Sequence, residues 1–457
     1  MAMRIRLMAR GVPVAQVGGA IVAAILVTAA LCVVGCSAQN HAEPPKRARA
    51  EPAPGAVLFI GDGMGPAYVT VTRVARGGSR GTLRIDGLPY TALSRTYSAD
   101  SPVTDSAAAA TAMACGQKTV NGVLGEDASA IYARQDGARL EPIAVWAKKR
   151  GIRVGLVTTT TVTHATPAAF YASEKDRENE AGIAKQAVAS GIDLLLGGGR
   201  KFFPDELRTQ ARAGGWTVVE TARDLRVIEG LDRHVLGLFA EGHLPYQPEI
   251  ELARSEAEGG SPAGSNAPGA RDVPTLPEMT RWAIDRLKGS GQPFFLMVEG
   301  GRIDHAGHAN WARTLVDETA AFDEAVGIAV DGLDPKTALV LVTADHETGG
   351  LALNGYPDEK DGIWSTYSDP QGDKGDGPYP VVTFSSGPGT KRQTRRPPHG
   401  EDDARPSGIP LGSAAHTGVD VALYAWGAGA ERVHGTLDNT AIYDILRAHL
   451  EGTSHAR

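Results

Sequence analysis

Asp304 and His308 stand four residues apart in Glu299-Gly-Gly-Arg-Ile-Asp304-His305-Ala-Gly-His308. On one helical turn that spacing puts both side chains on the same face. A carboxylate beside an imidazole is part of a zinc shell. His416, in Ala-Ala-His-Thr-Gly, can supply a further imidazole, and Asp345-His346 offers a second nitrogen and oxygen pair. Glu299 and Asp62 are harder oxygen donors, suited to a magnesium ion that keeps several waters. Ser106 follows Asp105 and opens the Ala-rich run Ser106–Ala114. A serine there can simply cap a helix. It can also be a nucleophile, because a helix N-terminus favours an anion and its free N–H groups hold phosphate oxygens. Metals that lower the pKa of bound water could activate its hydroxyl in the same way. Each feature has a plainer reading when taken alone. An isolated Asp-His pair is more often a salt bridge or a cap than a metal site.

Position in the chain gives these residues more weight. Ala56–Ile60, Val154–Thr158, Asp193–Leu196, Phe294–Val298, Ala338–Thr343 and Val421–Ala425 are short, apolar and β-branched or aromatic, which reads as strands. Continuous apolarity suits a parallel sheet buried on both faces. Ser106–Ala114, Leu276–Leu287 and Trp311–Val330 read as helices between them. The alternation predicts an α/β fold, a doubly wound, mostly parallel central sheet flanked by helices. Asp62 follows the first strand; Glu299, Asp304 and His308 follow the Phe294 run; Asp345 and His346 follow the Ala338 run. Open α/β sheets bind ligands beyond the carboxyl ends of their strands. Segments far apart in sequence are therefore expected to deliver acids and histidines to one edge. Ala253–Asp272 and Gly355–Gly412 are rich in Gly, Pro and charge and read as insertions, the second an accessory region near the mouth of the site. No internal repeat is visible.

Composition sets outer limits. The chain has 457 residues, 42% hydrophobic and 22% charged, with a formal net charge of −7. That is a globular balance, and a mildly acidic chain is a poor general nucleic-acid binder. An anionic substrate must then be drawn in by local positive charge. The three cysteines, Cys32, Cys36 and Cys115, cannot all pair, so no disulfide framework is expected. Arg4, Arg6 and Arg10 precede an apolar run from about Val12 to Val34, which reads as an export signal over residues 1–36. Leu31-Cys-Val-Val-Gly-Cys36 resembles a bacterial lipoprotein signal, in which Cys36 would carry lipid and anchor the protein at the periplasmic or cell surface. A plain cleaved signal and an uncleaved anchor are the alternatives. Residues 37–55 are polar and rich in Pro and Ala, as in a flexible tether to a catalytic body over 56–457.

Phe-Ile-Gly-Asp62-Gly-Met-Gly, Asp105-Ser106-Ala, Glu299 through His308, Thr343-Ala-Asp345-His346-Glu and His416-Thr-Gly together resemble the alkaline phosphatase family. The match runs from about Ala56 to near Leu450, with the motifs in family order. The resemblance implies hydrolysis of phosphate monoesters, with transient phosphorylation of Ser106, at a site holding two Zn2+ and one Mg2+. It implies a first zinc shell of Asp304, His308 and His416, and a second of Asp345, His346 and Asp62. Asp62, Glu299 and Thr166 would serve the magnesium. Arg177, at the family distance after His164-Ala-Thr-Pro, would clamp phosphate, for which a guanidinium's paired donors are suited. Its plainer reading is an exposed arginine in a charged loop. His164 and His305 resemble the form of the family found in animals, where the enteric bacterial form has Asp and Lys. Both are assigned to outer positions that tune metals and waters. A homodimer is expected on family grounds only.

Rival readings are a phosphodiesterase or sulfatase on the same fold, and a surface protein that captures phosphate or metal without turnover. Diesterases of this superfamily generally lack the third metal site, so Glu299, Thr166 and Asp62 favour monoesters. Sulfatases need Cys or Ser in a Cys/Ser-x-Pro-x-Arg setting, and alanines follow Ser106.

Overall fold

Every residue of Gly55–Ile60 (β1) is buried, and successive side chains enter different cores. Ala56, Leu58 and Ile60 pack with Met113 and Trp146 on one face, while Val57 and Phe59 pack with Leu315 and Phe322 on the other. A strand apolar on both faces must lie mid-sheet with helices above and below it. The computed structural model describes residues 54–228, 230, 234–257, 269–355, 362–367, 378–391 and 393–454. Cys36, the export signal and the tether up to residue 53 lie outside them, as does much of the Ala253–Asp272 stretch. Among the described residues, no helix is long and apolar enough to cross a membrane.

The other strands of the main sheet are Tyr90–Arg95 (β2), Arg153–Thr161 (β3), Leu194–Gly198 (β4), Trp216–Val219 (β5) and His234–Leu238 (β6). Phe294–Glu299 (β7), Ala338–Thr343 (β8), Val421–Gly427 (β9) and Gly435–Asp438 (β10) complete it. The ten strands lie in the order β10-β2-β9-β8-β1-β7-β3-β4-β6-β5. All neighbours are parallel except β9, which runs against both β8 and β2. The α/β, mostly parallel fold expected from the sequence is the fold observed.

Register places the chemistry. Ile60 lies beside Glu299 on one side and Thr343 on the other, and Thr158 lies beside Glu299. β8, β1 and β7 therefore end level, with β3 running on to Thr161, and the residues that follow them share one edge.

Three helices matter most. Ser106–Cys115 (α1) is buried along its whole length. Only small side chains let a helix pack on every side, and its Ala content supplies them. Gly116 ends it at φ 70, its N–H returning to Ala112 O at 2.9 Å. Arg302–His308 (α2) follows β7, and Ala312–Gly332 (α3) packs on the opposite face from α1.

The Gly355–Gly412 region contributes to a small sheet of Leu351–Leu353, Val382–Gly387 and Ser407–Pro410. Its attachment to the body is specific. Buried Asp403 accepts from the N–H groups of Arg313 and Thr314 at 2.7 and 3.1 Å, satisfying the start of α3. Asn310, between α2 and α3, holds a left-handed φ of 56. Its Nδ2 donates to Ser386 O at 3.1 Å, and its Oδ1 accepts from Gly389 N at 2.9 Å.

Asn310→Ala would leave both partners unpaired in a buried place while keeping an unfavourable φ. It should lower the unfolding free energy by about 2–4 kcal/mol, since each buried orphan costs ~1–3 kcal/mol. Urea denaturation of chelator-treated protein reads this directly; an unchanged midpoint would mean that the small sheet is held elsewhere.

Candidate active site

Sequence reasoning left Ser106 between a cap and a nucleophile, and the structure gives the cap to its neighbour. Asp105 is the N-cap, its Oδ1 accepting from Ala108 N at 3.0 Å. Its Oδ2 accepts from Gly122 N at 3.0 Å and from Arg177 Nη1 at 2.9 Å. Ser106, the first helical residue, is thus freed from capping. Its Oγ lies 3.2 Å from His346 Nε2.

Beside it, three acceptors converge. His308 Nδ1 faces Ala414 O at 2.6 Å, and His416 Nδ1 faces Thr104 O at 3.0 Å. A carbonyl only accepts, so each Nδ1 carries the proton and each Nε2 presents a lone pair. Those two Nε2 atoms are 3.1 Å apart, and Asp304 Oδ2 is 3.2 Å from that of His308. Neutral rings and a carboxylate cannot share that space without a cation or an added proton. Burial opposes charging of His308, but the Asp304 carboxylate overrides it and raises its pKa to about 9.

His346, fully buried and stacked on His416 at 3.6 Å between ring centroids, turns Nε2 toward two more acids. Asp345 Oδ2 is 3.2 Å from it and Asp62 Oδ1 3.7 Å. Asp345 Oδ1 is satisfied by the N–H groups of Gly63 and His346 at 3.0 and 2.9 Å. Gly63 is at φ +69, and a Cβ there would sit 2.7 Å from Asp304 Oδ1, so only glycine fits. Burial first, then the Asp345 charge, pushes the Asp62 carboxyl well above its usual range. Asp345 is raised to about 7, chiefly by burial, with Asp304 and Glu299 adding to it.

Glu299 lies on the other side of Asp62. Its Oε2 accepts from the Thr158 and Thr160 hydroxyls, the latter at 3.1 Å. Its Oε1 has no hydrogen-bond partner, and neither has the buried hydroxyl of Thr166 nor either oxygen of Asp62. Buried oxygens left open in this way fit cation ligands.

The ligand atoms fall into three overlapping groups, each within 4.8 Å: Asp304, His308 and His416; Asp62, Asp304 and His346; Asp62, His164 and Glu299. Asp304 thus lies in reach of two positions, where the sequence reading used it in one. His164 comes within reach of the third. Its Nε2, however, accepts from Arg177 Nη2 at 3.2 Å, so Nδ1 carries the proton toward Glu299 Oε1, 3.8 Å away. At that separation Nδ1 makes no hydrogen bond to the carboxylate, and with its proton there the neutral ring turns no lone pair toward the third position.

His305 is fixed in a similar way. Arg302 Nη1 donates to its Nδ1 at 2.7 Å, leaving an N–H at Nε2. His243 packs against it with its ring tilted by 53°, 4.5 Å between centroids, and accepts from Thr161 N at 3.1 Å. Burial, then the neighbouring His164, keeps His243 neutral, its pKa pushed down to about 2. Sequence reasoning missed His243. It follows β6, and the rule that found the other residues would have found it had that strand been recognised.

A sheet edge that gathers buried acids and imidazoles from five separate segments defines an α/β metalloenzyme. The chain belongs to the alkaline phosphatase family and is a hydrolase: the family model described as alkaline phosphatase matches residues 55–451. It is 33% identical over 439 residues to the tissue-nonspecific alkaline phosphatase of Gallus gallus, covering 83% of this chain and 81% of that one. Among solved structures, Thermus thermophilus alkaline phosphatase superposes with a TM-score of 0.68 at 28% identity, over 90% of this chain and 95% of that one. A TAB5 alkaline phosphatase variant with Mg bound gives 0.66 at 26% identity, over 87% and 98%.

Stripping cations with a chelator should leave the buried acids uncompensated. The melting temperature should then fall by several degrees, roughly what 1–2 kcal/mol produces in a domain of this size or smaller, and Zn2+ with Mg2+ should restore it. A melting curve indifferent to chelator and metal would contradict this reading.

Proposed function

We propose that this chain hydrolyses phosphate monoesters to an alcohol and inorganic phosphate through a phosphoserine on Ser106. The observation that carries the reading is the freed Ser106 hydroxyl, set at a helix N-terminus against His346 Nε2. Asp304, His308 and His416 would hold one Zn2+, Asp62, His346 and Asp345 the other, and Asp62, Glu299 and Thr166 the Mg2+. Bound, these ions supply Lewis acidity that lowers the hydroxyl pKa and neutralises phosphoryl charge.

The chain's own groups do the positioning. Ser106 Oγ releases its proton to solvent and forms a bond to phosphorus as the ester P–O bond breaks, and the leaving alcohol takes up a proton from water. Water then gives up a proton and bonds to phosphorus as the bond from phosphorus to Ser106 Oγ breaks, phosphate leaves, and Ser106 Oγ takes up a proton from solvent. The open N–H groups at the start of α1 and the Arg177 guanidinium hold the non-reacting oxygens, where charge builds. Asp105 holds Arg177 by one edge and so aims the rest of it. His305 offers Nε2–H to an oxygen at the site. The acid set around Glu299 supports monoesters over the phosphodiester alternative, because a third cation suits the extra charge of a monoester. The N-terminal sequence supports export, with lipid on Cys36 holding the body at the periplasmic or outer surface.

Ser106→Ala should lower kcat for a phosphate monoester by at least roughly a thousandfold, as loss of a nucleophile does. Zinc content should remain, and acid-quenched turnover should trap phosphate on the wild type alone. The same assay run on a diester decides between the ester classes. Diester preference would move the magnesium assignment, and undiminished turnover in the Ala variant would remove Ser106 as nucleophile.

A further inference from the structure

Thr348 was not singled out by its sequence, yet it touches most of the site. It is fully buried. Its backbone N–H donates to Gly63 O at 3.2 Å, and its residue pairs with His416 in a short antiparallel bridge. Its carbonyl accepts from Tyr68 Oη at 2.5 Å.

The side chain is more telling. Thr348 Oγ1 lies 2.5 Å from Asp304 Oδ1 and 3.3 Å from His346 Nδ1. A hydroxyl has one proton and two lone pairs. A carboxylate only accepts, so that proton goes to Asp304. Toward His346 the oxygen can then only accept, which requires the imidazole proton to sit on Nδ1. Nε2 is left with a free lone pair, aimed at the space shared by Asp62, Asp345 and Ser106. No other hydrogen bond to His346 Nδ1 competes among the described contacts, so this one oxygen is what holds the proton on Nδ1 against the pull of Asp345 Oδ2, 3.2 Å from Nε2.

We propose that Thr348 is a positioning residue whose single hydroxyl sets the Nδ1–H tautomer of His346 and orients Asp304, tying two of the cation-capable groups together. The inference rests on the proposed metal-holding roles of those residues. Outer partners of metal ligands typically change affinity about 10–100-fold when lost, by fixing ring orientation and tautomer.

The test uses the full chain, 15N-labelled and stripped of metal. Ring nitrogen shifts and two-bond couplings of His346, assigned against His346→Gln, report which nitrogen bears the proton. The wild type should show Nδ1–H. Thr348→Val keeps the shape but removes the hydroxyl. It should lose that preference and bind Zn2+ about 10–100-fold more weakly in competition with a chelator. Thr348→Ser should restore both. A wild-type ring protonated on Nε2, a Val variant that binds Zn2+ like the wild type, or a Ser variant as impaired as Val would each overturn the proposal. Should Val fail to fold, the wild-type spectrum and the Ser variant still decide. The tautomer is read without metal or substrate, so an absence of monoester turnover would leave this result standing.

Discussion

Asp62, Glu299, Asp304 and Asp345 are all buried at one end of the sheet, and repulsion among them has to be met by positive charge. Removing even one carboxylate from water costs several kcal/mol unless it is paired. The chain's own cations cannot cover four. Arg177 is drawn toward Asp105, and Arg302 toward His305. The imidazoles of His308 and His416 turn their Nδ1–H groups away from the acids, to backbone carbonyls. The fold therefore tolerates this cluster as a cation receptacle, and folding stability and metal binding become parts of one equilibrium.

The rest of the architecture serves that constraint. Parallel strands in register bring four chain segments to a common edge without long loops. A helix of small residues lets Ser106 approach the cluster closely. Asp105 links capping, the loop at Gly122 and the Arg177 guanidinium through one carboxylate. His416 arrives from beyond the small sheet, and the bridge between His416–Thr417 and Glu347–Thr348 fixes its place.

Much of this was legible in the sequence because the central strands are unambiguous. Val-Leu-Phe-Ile, Phe-Phe-Leu-Met-Val and Ala-Leu-Val-Leu-Val have no polar residue to confuse their period. The acids and histidines that follow such runs could be placed by rule. Outer strands were harder. Tyr90–Arg95 is exposed at four of its six positions and carries Thr and Ser, so it lacks the apolar signal. Trp216–Val219 and His234–Leu238 are short and lie at the far side of the sheet. His243 was lost with them. Thr348 and Asn310 were invisible for another reason. A threonine or asparagine acts here through partners 44 and 79 residues away, and no local pattern records such contacts.

The antiparallel return of β9 sits next to β8 in the middle of the sheet, and His416 lies just before it in the chain. His416 meets Thr104 across 312 residues of sequence. Loop closure over such a span is slow compared with local helix formation. As the chain lengthens from its N-terminus, Asp62, Glu299 and Asp304 all exist before the imidazole that completes their company. Assembly of the proposed centre is therefore a checkpoint on the whole polypeptide: a chain truncated between β8 and His416 still carries eight of the ten strands, yet lacks the imidazole that the proposed centre needs.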